Sequence, residues 1–142
     1  MEHGVDCIYV SNHGGRQLDH GEGSFSVLAQ VVAALADKGS NCQIMVDGGV
    51  MRGTDVVKAI ALGADGVGIG RLFCLALAAG GAAGITRMLE LLEIEVKATL
   101  ALLGKTSFAE VDAACITQVD AMPVDDPLLM AFPLLRSSVL ND

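Results

Sequence analysis

The side chains best suited to chemistry in this 142-residue chain lie in the loop "SNHGGRQLD", directly after the apolar run "CIYV". His13 brings an imidazole that can take up a proton, and Arg16 brings a guanidinium that can hold an anion. Asn-His-Gly-Gly is also an ordinary turn sequence. The loop by itself therefore leaves both a catalytic site and a structural turn open.

Two further apolar runs end in loops of the same kind. "QIMV" leads into "DGGVMRGTD", and "GVGI" leads into "GRLFCLALAAGG". Glycines allow backbone N–H groups to approach an anion closely, and the beginning of a helix favours negative charge. The three loops together hold most of the Gly, Arg, Asp and His residues that could do chemistry.

The elements that must carry these loops alternate between strand and helix. "DCIYV", "QIMVDGG" and "DGVGIG" are predicted strands, and the third ends at Gly70. Helices are predicted in "SFSVLAQVVAALADKG", with Ser24 or Ser26 as N-cap, and in "TDVVKAIALG", which Gly63 ends. A last helix, "ITRMLELLEIEVKATLALLG", ends at Gly104, and a short helical patch follows near "FAEVDAA".

Such an alternation predicts an α/β fold of parallel strands with right-handed crossovers, either an open doubly wound sheet or a (β/α)8 barrel. Both folds bind ligands at the carboxyl ends of their strands, so the three loops are expected on one face. A barrel takes about 250 residues. The 142 residues of this chain suffice for three βα units.

Composition limits the function classes. The net charge of -8 argues against a nucleic-acid partner, which requires a basic surface. The stretch "LFCLALAAGGAAGI" is too short and too rich in glycine for a transmembrane segment and is predicted as buried helix and turn. With no signal-peptide pattern, we expect a cytoplasmic protein without a metal site. Four cysteines are predicted as reduced, mostly buried thiols: Cys7, Cys42, Cys74 and Cys115.

Over residues 4–104 the chain resembles the carboxyl-terminal portion of the FMN-dependent α-hydroxy acid dehydrogenases, the family of glycolate oxidase, lactate oxidase and mandelate dehydrogenase. The resemblance rests on "SNHGGRQLD", on "VDGGVMRGTDVVKAIALGADGVGIGR" and on the helix that follows. It implies that residues 1–104 supply the last three βα units of a TIM barrel and that 105–142 form a tail. It also implies FMN as cofactor and a small 2-hydroxy acid as substrate.

The resemblance implies roles for residues of the first loop. His13 corresponds to the active-site base, which takes a proton from the substrate hydroxyl or the α-carbon. Arg16 corresponds to the arginine that holds the substrate carboxylate. Ser11 corresponds to a residue whose hydroxyl can hydrogen-bond the polar edge of the flavin.

The second loop is expected to follow the ribityl chain of FMN and to reach its phosphate. An aspartate there can accept from ribityl hydroxyls, while glycines let backbone amides approach. The residues expected to take part are Asp47, Gly48, Gly49, Val50 and Met51.

The third loop is expected to hold the phosphate dianion. Gly70, Arg71 and the start of the following helix match the phosphate site of the family. Met51 stands where many members have arginine, and the neighbouring Arg52 is expected to point elsewhere. Arg71 is therefore expected to carry more of the phosphate binding.

Three functions stay open. The first is FMN-dependent oxidation of a small 2-hydroxy acid to a 2-oxo acid, as the carboxyl-terminal segment of such an enzyme. The second is a non-catalytic fragment or interaction module, because groups that the family takes from earlier strands are not in these 142 residues. The third is another phosphate-binding barrel enzyme. Open strand edges also leave room for a homo-oligomer, and neither the hydroxy acid nor the electron acceptor follows from the residues.

Overall fold

The computed structural model describes residues 4–39 and 41–118. Along the chain these residues form β1 (Cys7–Val10), α1 (Ser24–Ala36), β2 (Gln43–Val46), α2 (Gly53–Ala61), β3 (Gly66–Val67) and α3 (Arg71–Leu102). Short 3-10 helices lie at Asn12–Arg16, Phe108–Glu110 and Ala113–Cys115. The predicted alternation of strands and helices is confirmed.

The three strands form one parallel sheet in the order β1-β2-β3. Val46 in the central strand pairs with Val10 on one side and with Val67 on the other. Each crossover contains a helix that returns the chain to the starting end of the sheet, as parallel pairing requires. The loops after the strands consequently lie at the same end, as predicted.

The core lies between one face of the sheet and the helices α1 and α2. Leu28 and Val46 are completely buried in it, and the remaining buried members of this cluster are Ile44, Ala59 and Ala64. A second cluster joins α2 to α3 and to the segment after α3; its buried members are Val57, Ala61, Leu100 and Val111. Residues beyond Gly104 therefore pack on the βα units.

The opposite face of the sheet is open. Tyr9 is 53% exposed and Met45 is 36% exposed on this face. Within residues 4–39 and 41–118, β1 and β3 each pair with a neighbour on one side only. A closed barrel has no such edges, so the described residues form an open three-stranded sheet with helices on one face.

Two local predictions are wrong. The third strand covers only Gly66–Val67 instead of continuing to Gly70, because β2 is its single neighbour among the described residues. Helix α1 has Gly23 as N-cap instead of Ser24 or Ser26. The Ser24 hydroxyl donates to the Asp47 carbonyl and so is not used as a cap.

The predicted ends of the other two helices are confirmed. Gly63 and Gly104 adopt positive φ angles of 97° and 69°, which glycine tolerates at a helix end. The amides after them bond back to the carbonyls of Ala59, at 3.1 Å, and Leu100, at 2.9 Å. Each glycine thus closes its helix with a left-handed turn.

Helix α3 is exposed over its first part, and the prediction of a buried helix at "LFCLALAAGGAAGI" is wrong in this respect. Phe73, Leu75 and Leu77 are between 41% and 59% exposed. Non-helical backbone angles at Gly80 and Gly81 divide α3 into two pieces. By length and composition alone α3 could cross a membrane, but its first piece, residues 71–79, is only about 14 Å long. Its second piece carries five charged side chains: Arg87, Glu90, Glu93, Glu95 and Lys97. The helix does not show a transmembrane segment.

The burial predicted for the cysteines is also wrong in part. Cys7 and Cys74 are exposed, whereas Cys42 and Cys115 are half-buried. Cys7 lies in β1 on the open face of the sheet, and Cys74 lies on the exposed first piece of α3. All four lie within the described ranges, and none of them forms a disulfide.

Candidate functional site

A cleft of about 820 Å³ lies at the carboxyl ends of the three strands. Residues from all three loops line it, as parallel strands with loops at one end predict. Every residue to which the sequence assigned a role is in this lining: Ser11, His13, Arg16, Asp47, Gly48, Gly49, Val50, Met51, Gly70 and Arg71. The structure therefore brings the predicted site residues together in one place.

Hydrogen bonds, and not burial, hold the loop after β1. Its 3-10 helix Asn12–Arg16 contains no buried residue. The Ser11 hydroxyl accepts from the His13 amide at 3.1 Å and donates to the Asp47 carboxylate, whose two oxygens lie 3.0 and 2.9 Å away. The imidazole of His13 and the guanidinium of Arg16 consequently lie on an exposed turn with a fixed backbone.

Asp47 is the common acceptor of this network. Its carboxylate accepts from the Ser11 hydroxyl and from the Asn12 amide at 2.9 Å, and the Tyr9 phenol oxygen lies beside Asp47. Burial raises the pKa of Asp47, but the Asn12 amide, the two hydroxyls and the charge of His13 outweigh it, so the pKa lies below its ordinary value. Any ribityl hydroxyl that binds Asp47 must share the carboxylate with these protein donors.

The glycines near the cleft are of two kinds. Gly48, with φ of 104, is tightly packed: a Cβ there would lie 2.6 Å from both Asn12 Cβ and Ser24 Oγ. Gly49, with φ of 78, and Gly70 face open space, because nothing lies within 4 Å of a Cβ placed on either. The backbone at these two positions is thus accessible to a ligand such as a phosphate.

Arg16 and Arg71 are the cations that this cleft offers to an anion. Arg71 is the first residue of α3 and follows the N-cap Gly70, where unpaired amides favour negative charge. In the part of the chain that the structure describes, neither guanidinium pairs with a carboxylate. Arg52 differs, because its Nε donates to Glu95 at 2.7 Å and it does not line the cleft. This geometry agrees with the expectation that Arg52 points elsewhere.

Sequence reasoning missed Tyr9, Asn12 and Ser24 as parts of this site. Two-residue alternation along a strand could have placed Tyr9 on the open face, and Asn12 lies within the motif itself. Ser24 gave no such signal, because it is 23 residues from its partner Asp47 in sequence. Only the fold brings these two residues together.

Comparison with known proteins extends over most of the chain. The model of the family described as FMN-dependent dehydrogenase matches residues 1–118. Glycolate oxidase 1 of Oryza sativa subsp. indica is 47% identical over 132 residues, which cover 93% of this chain and 34% of that protein. The L-lactate dehydrogenase (cytochrome) of Wickerhamomyces anomalus is 46% identical over 111 residues, which cover 77% of this chain and 19% of that protein.

Solved structures of TIM-barrel flavin enzymes agree with these matches. A mutant flavocytochrome b2 with pyruvate bound has a TM-score of 0.78 and 38% identity, over 92% of this chain and 35% of that one. A mutant mandelate oxidase with a monooxide FMN adduct has a TM-score of 0.72 and 44% identity, over 78% and 34%. The chain spans between 19% and 35% of the length of these four proteins. Matches that include the three strands, their loops and α3 show that the chain belongs to the FMN-dependent dehydrogenase family.

Proposed function

We propose that this chain is the carboxyl-terminal segment of a cytoplasmic, FMN-dependent enzyme that oxidises a small 2-hydroxy acid to the 2-oxo acid. The observation that carries this proposal is the cleft, because the candidate base, the candidate carboxylate-binding cation and the candidate phosphate-binding loop all line it. The names of the relatives refer to lactate, glycolate and mandelate, which share the 2-hydroxy acid group.

The residues that line the cleft fit FMN. Gly49 and Gly70 leave open space where a phosphate would approach the backbone, and Arg71 adds a positive charge at the start of α3. Ser11 and Asp47 offer hydrogen-bonding groups to the polar edge of the flavin and to the ribityl chain. When bound, FMN supplies the acceptor for the two electrons that leave the substrate.

Arg16 and His13 act on the substrate. Arg16 binds the carboxylate through two parallel hydrogen bonds, which fix the adjacent α-carbon. His13 takes up the proton from the hydroxyl or the α-carbon, and a general base of this kind contributes about 10²- to 10⁴-fold in rate. Both residues lie in the 3-10 helix Asn12–Arg16, so one short turn presents the cation and the base to the same substrate.

A chimera tests the proposal: residues 1–118 replace the matching carboxyl-terminal part of a glycolate oxidase. We expect it to purify with FMN and to be reduced under anaerobic conditions by glycolate, lactate or mandelate. The matched acids without the hydroxyl group should not reduce it. A folded chimera that carries FMN but is reduced by none of the three hydroxy acids contradicts the proposal.

The open sheet edges and the exposed side chains of α3 favour a second candidate, a non-catalytic module that docks on another protein. A chimera that folds without retaining FMN would support this candidate. The third candidate, another phosphate-binding barrel enzyme, requires the His13 loop to lie far from the Arg71 loop. Both loops line the same cleft, so no observation favours it.

A further inference from the structure

Tyr9 stands where the ends of the three strands meet. It lies in β1 on the open face of the sheet. Its phenol oxygen lies beside Asp47, the residue after β2, because a Cβ added to Gly68 would meet both the phenol oxygen and Asp47 Cβ. The phenol oxygen also lies against the backbone after β3, because a Cβ added to Gly68 would collide with it. One side chain thus contacts all three strand ends.

From Asp47 the hydrogen bonds continue to the candidate catalytic loop. The carboxylate accepts from the Ser11 hydroxyl and from the Asn12 amide, and the Ser11 hydroxyl accepts from the His13 amide at 3.1 Å. An unbroken series of hydrogen bonds thus joins Asp47, which the Tyr9 phenol contacts, to the backbone of His13. No residue in the 3-10 helix that carries His13 is buried, so these bonds, and not packing, fix its position.

We propose that Tyr9 is a positioning residue, which orients the Asp47 carboxylate and thereby fixes the loop that presents His13. The importance of this inference for catalysis rests on the proposed function of the cleft. A carboxylate that loses the neighbouring phenol can rotate, and its bonds to Ser11 and Asn12 then weaken. Gly68 is part of the arrangement, since any side chain there would displace the phenol.

The contact between the Tyr9 phenol and Asp47 can be measured without FMN. Tyr9 is the only tyrosine and the chain has no tryptophan, so the absorbance of tyrosinate reports this phenol alone. The hydrogen bond to Asp47, then burial, then the charge of Asp47 raise the pKa of Tyr9. We expect the intact chain to titrate above the ordinary value of about 10, and Asp47→Asn to titrate close to it.

Gly68→Ala provides a second variant in case Asp47→Asn does not fold. It should also lower the pKa of Tyr9, because the added methyl group pushes the phenol away from Asp47. Identical titrations of the intact chain and the folded variants would overturn the inference, since the phenol would then have no bond to lose.

Hydrogen exchange tests the positioning role. Tyr9→Phe keeps the ring and removes only the donor, and it should speed amide exchange at Asn12 and His13 by about 2- to 10-fold. Cys7→Ala, in the same strand and without a bond to Asp47, is the matched control and should change neither rate. Unchanged exchange in Tyr9→Phe, or an equal change in Cys7→Ala, would overturn the inference. Neither measurement uses FMN, so a chimera without activity would contradict the proposed function and leave these results unaffected.

Discussion

Among individual residues, Asp47 does more than the sequence motif assigned to it. The motif indicated a partner for ribityl hydroxyls, whereas the structure shows an acceptor for Ser11 and Asn12. The loop around His13 depends on this carboxylate because none of its residues is buried. An ionised Asp47 therefore stabilises the folded loop before any ligand is present.

Stability should depend on acid pH through Asp47. Because its folded pKa lies below the ordinary value, its contribution is fully present above about pH 4 and is lost as the pH falls through the lower folded pKa. Asp47→Asn removes the titrating group and should flatten the acid side of the stability curve, measured by urea unfolding from about pH 6 to about pH 3. An unchanged slope on the acid side in Asp47→Asn would contradict this role.

The arginines near the second and third loops should differ in their effect on FMN. In the chimera, Arg71→Ala should weaken FMN binding about 10- to 100-fold, because it removes a charged hydrogen bond worth roughly 1.5 to 3 kcal/mol, or less if solvent screens it. Arg52→Ala should change the Kd little, since Arg52 pairs with Glu95. Met51→Arg restores a cation at the family position and should tighten binding. Loss of FMN in Arg52→Ala with retention in Arg71→Ala would show that the loop is shifted by one residue.

Among the secondary-structure elements, helix ends were easier to predict than strand ends. Gly63 and Gly104 end their helices through a local conformation that glycine adopts at low cost. The length of β3 depends on its neighbours in the sheet, and a sequence window does not contain this information. The same reason explains the burial error at α3, because burial of its apolar residues depends on packing partners and Phe73, Leu75 and Leu77 have too few among the described residues.

Helices α2 and α3 are joined at the point where the second loop ends. The Glu95 carboxylate accepts from the Gly53 amide at 2.7 Å and from Arg52 Nε at 2.7 Å. Gly53 is packed so closely that a Cβ there would lie 2.5 Å from Glu95 Cβ and 2.6 Å from the Val96 nitrogen. The Gly53 amide is the main reason that the pKa of Glu95 lies below its ordinary value.

Glu95→Gln should loosen this junction. The neutral amide accepts more weakly from Gly53 and loses the charge that attracts Arg52, so we expect a lower Tm and faster exchange of the Gly53 amide. Glu93→Gln removes an exposed ion pair with Lys97 on the same helix and serves as the control. Equal decreases in Tm for the two substitutions would contradict this role, because the contacts of Glu95 would then stabilise the fold no more than an exposed ion pair does.

Considered as a whole, the described residues bring the candidate site residues together at one end of an open three-stranded sheet. The fold class, the parallel order and the common position of the three loops followed from alternation and loop chemistry, which are encoded locally. The network around Asp47 could not be predicted, because Tyr9, Ser24 and Asp47 are far apart in sequence and meet only in the folded chain. The open face of the sheet could not be predicted locally either, because it depends on which other elements pack against that face.

The isolated chain should therefore associate and bind FMN weakly or not at all. Unpaired strand edges and exposed side chains such as Met45, Phe73 and Leu75 favour contacts between copies, including a homo-oligomer. Light scattering together with flavin titration measures both properties. A monomer that binds FMN with a nanomolar Kd would contradict this expectation.

Anaerobic stopped-flow reduction of the chimera with His13→Ala decides whether the cleft works as proposed. His13 is assigned to proton removal and not to cofactor binding, so the variant should retain as much FMN as the unsubstituted chimera. Its flavin should be reduced by the 2-hydroxy acid at least about 10²-fold more slowly at saturating substrate. Arg16→Lys, measured in parallel, should mainly weaken substrate binding, because an ammonium group cannot form the two-point contact with a carboxylate. Reduction of the His13→Ala flavin at the unsubstituted rate would contradict the assignment of this cleft as the active site.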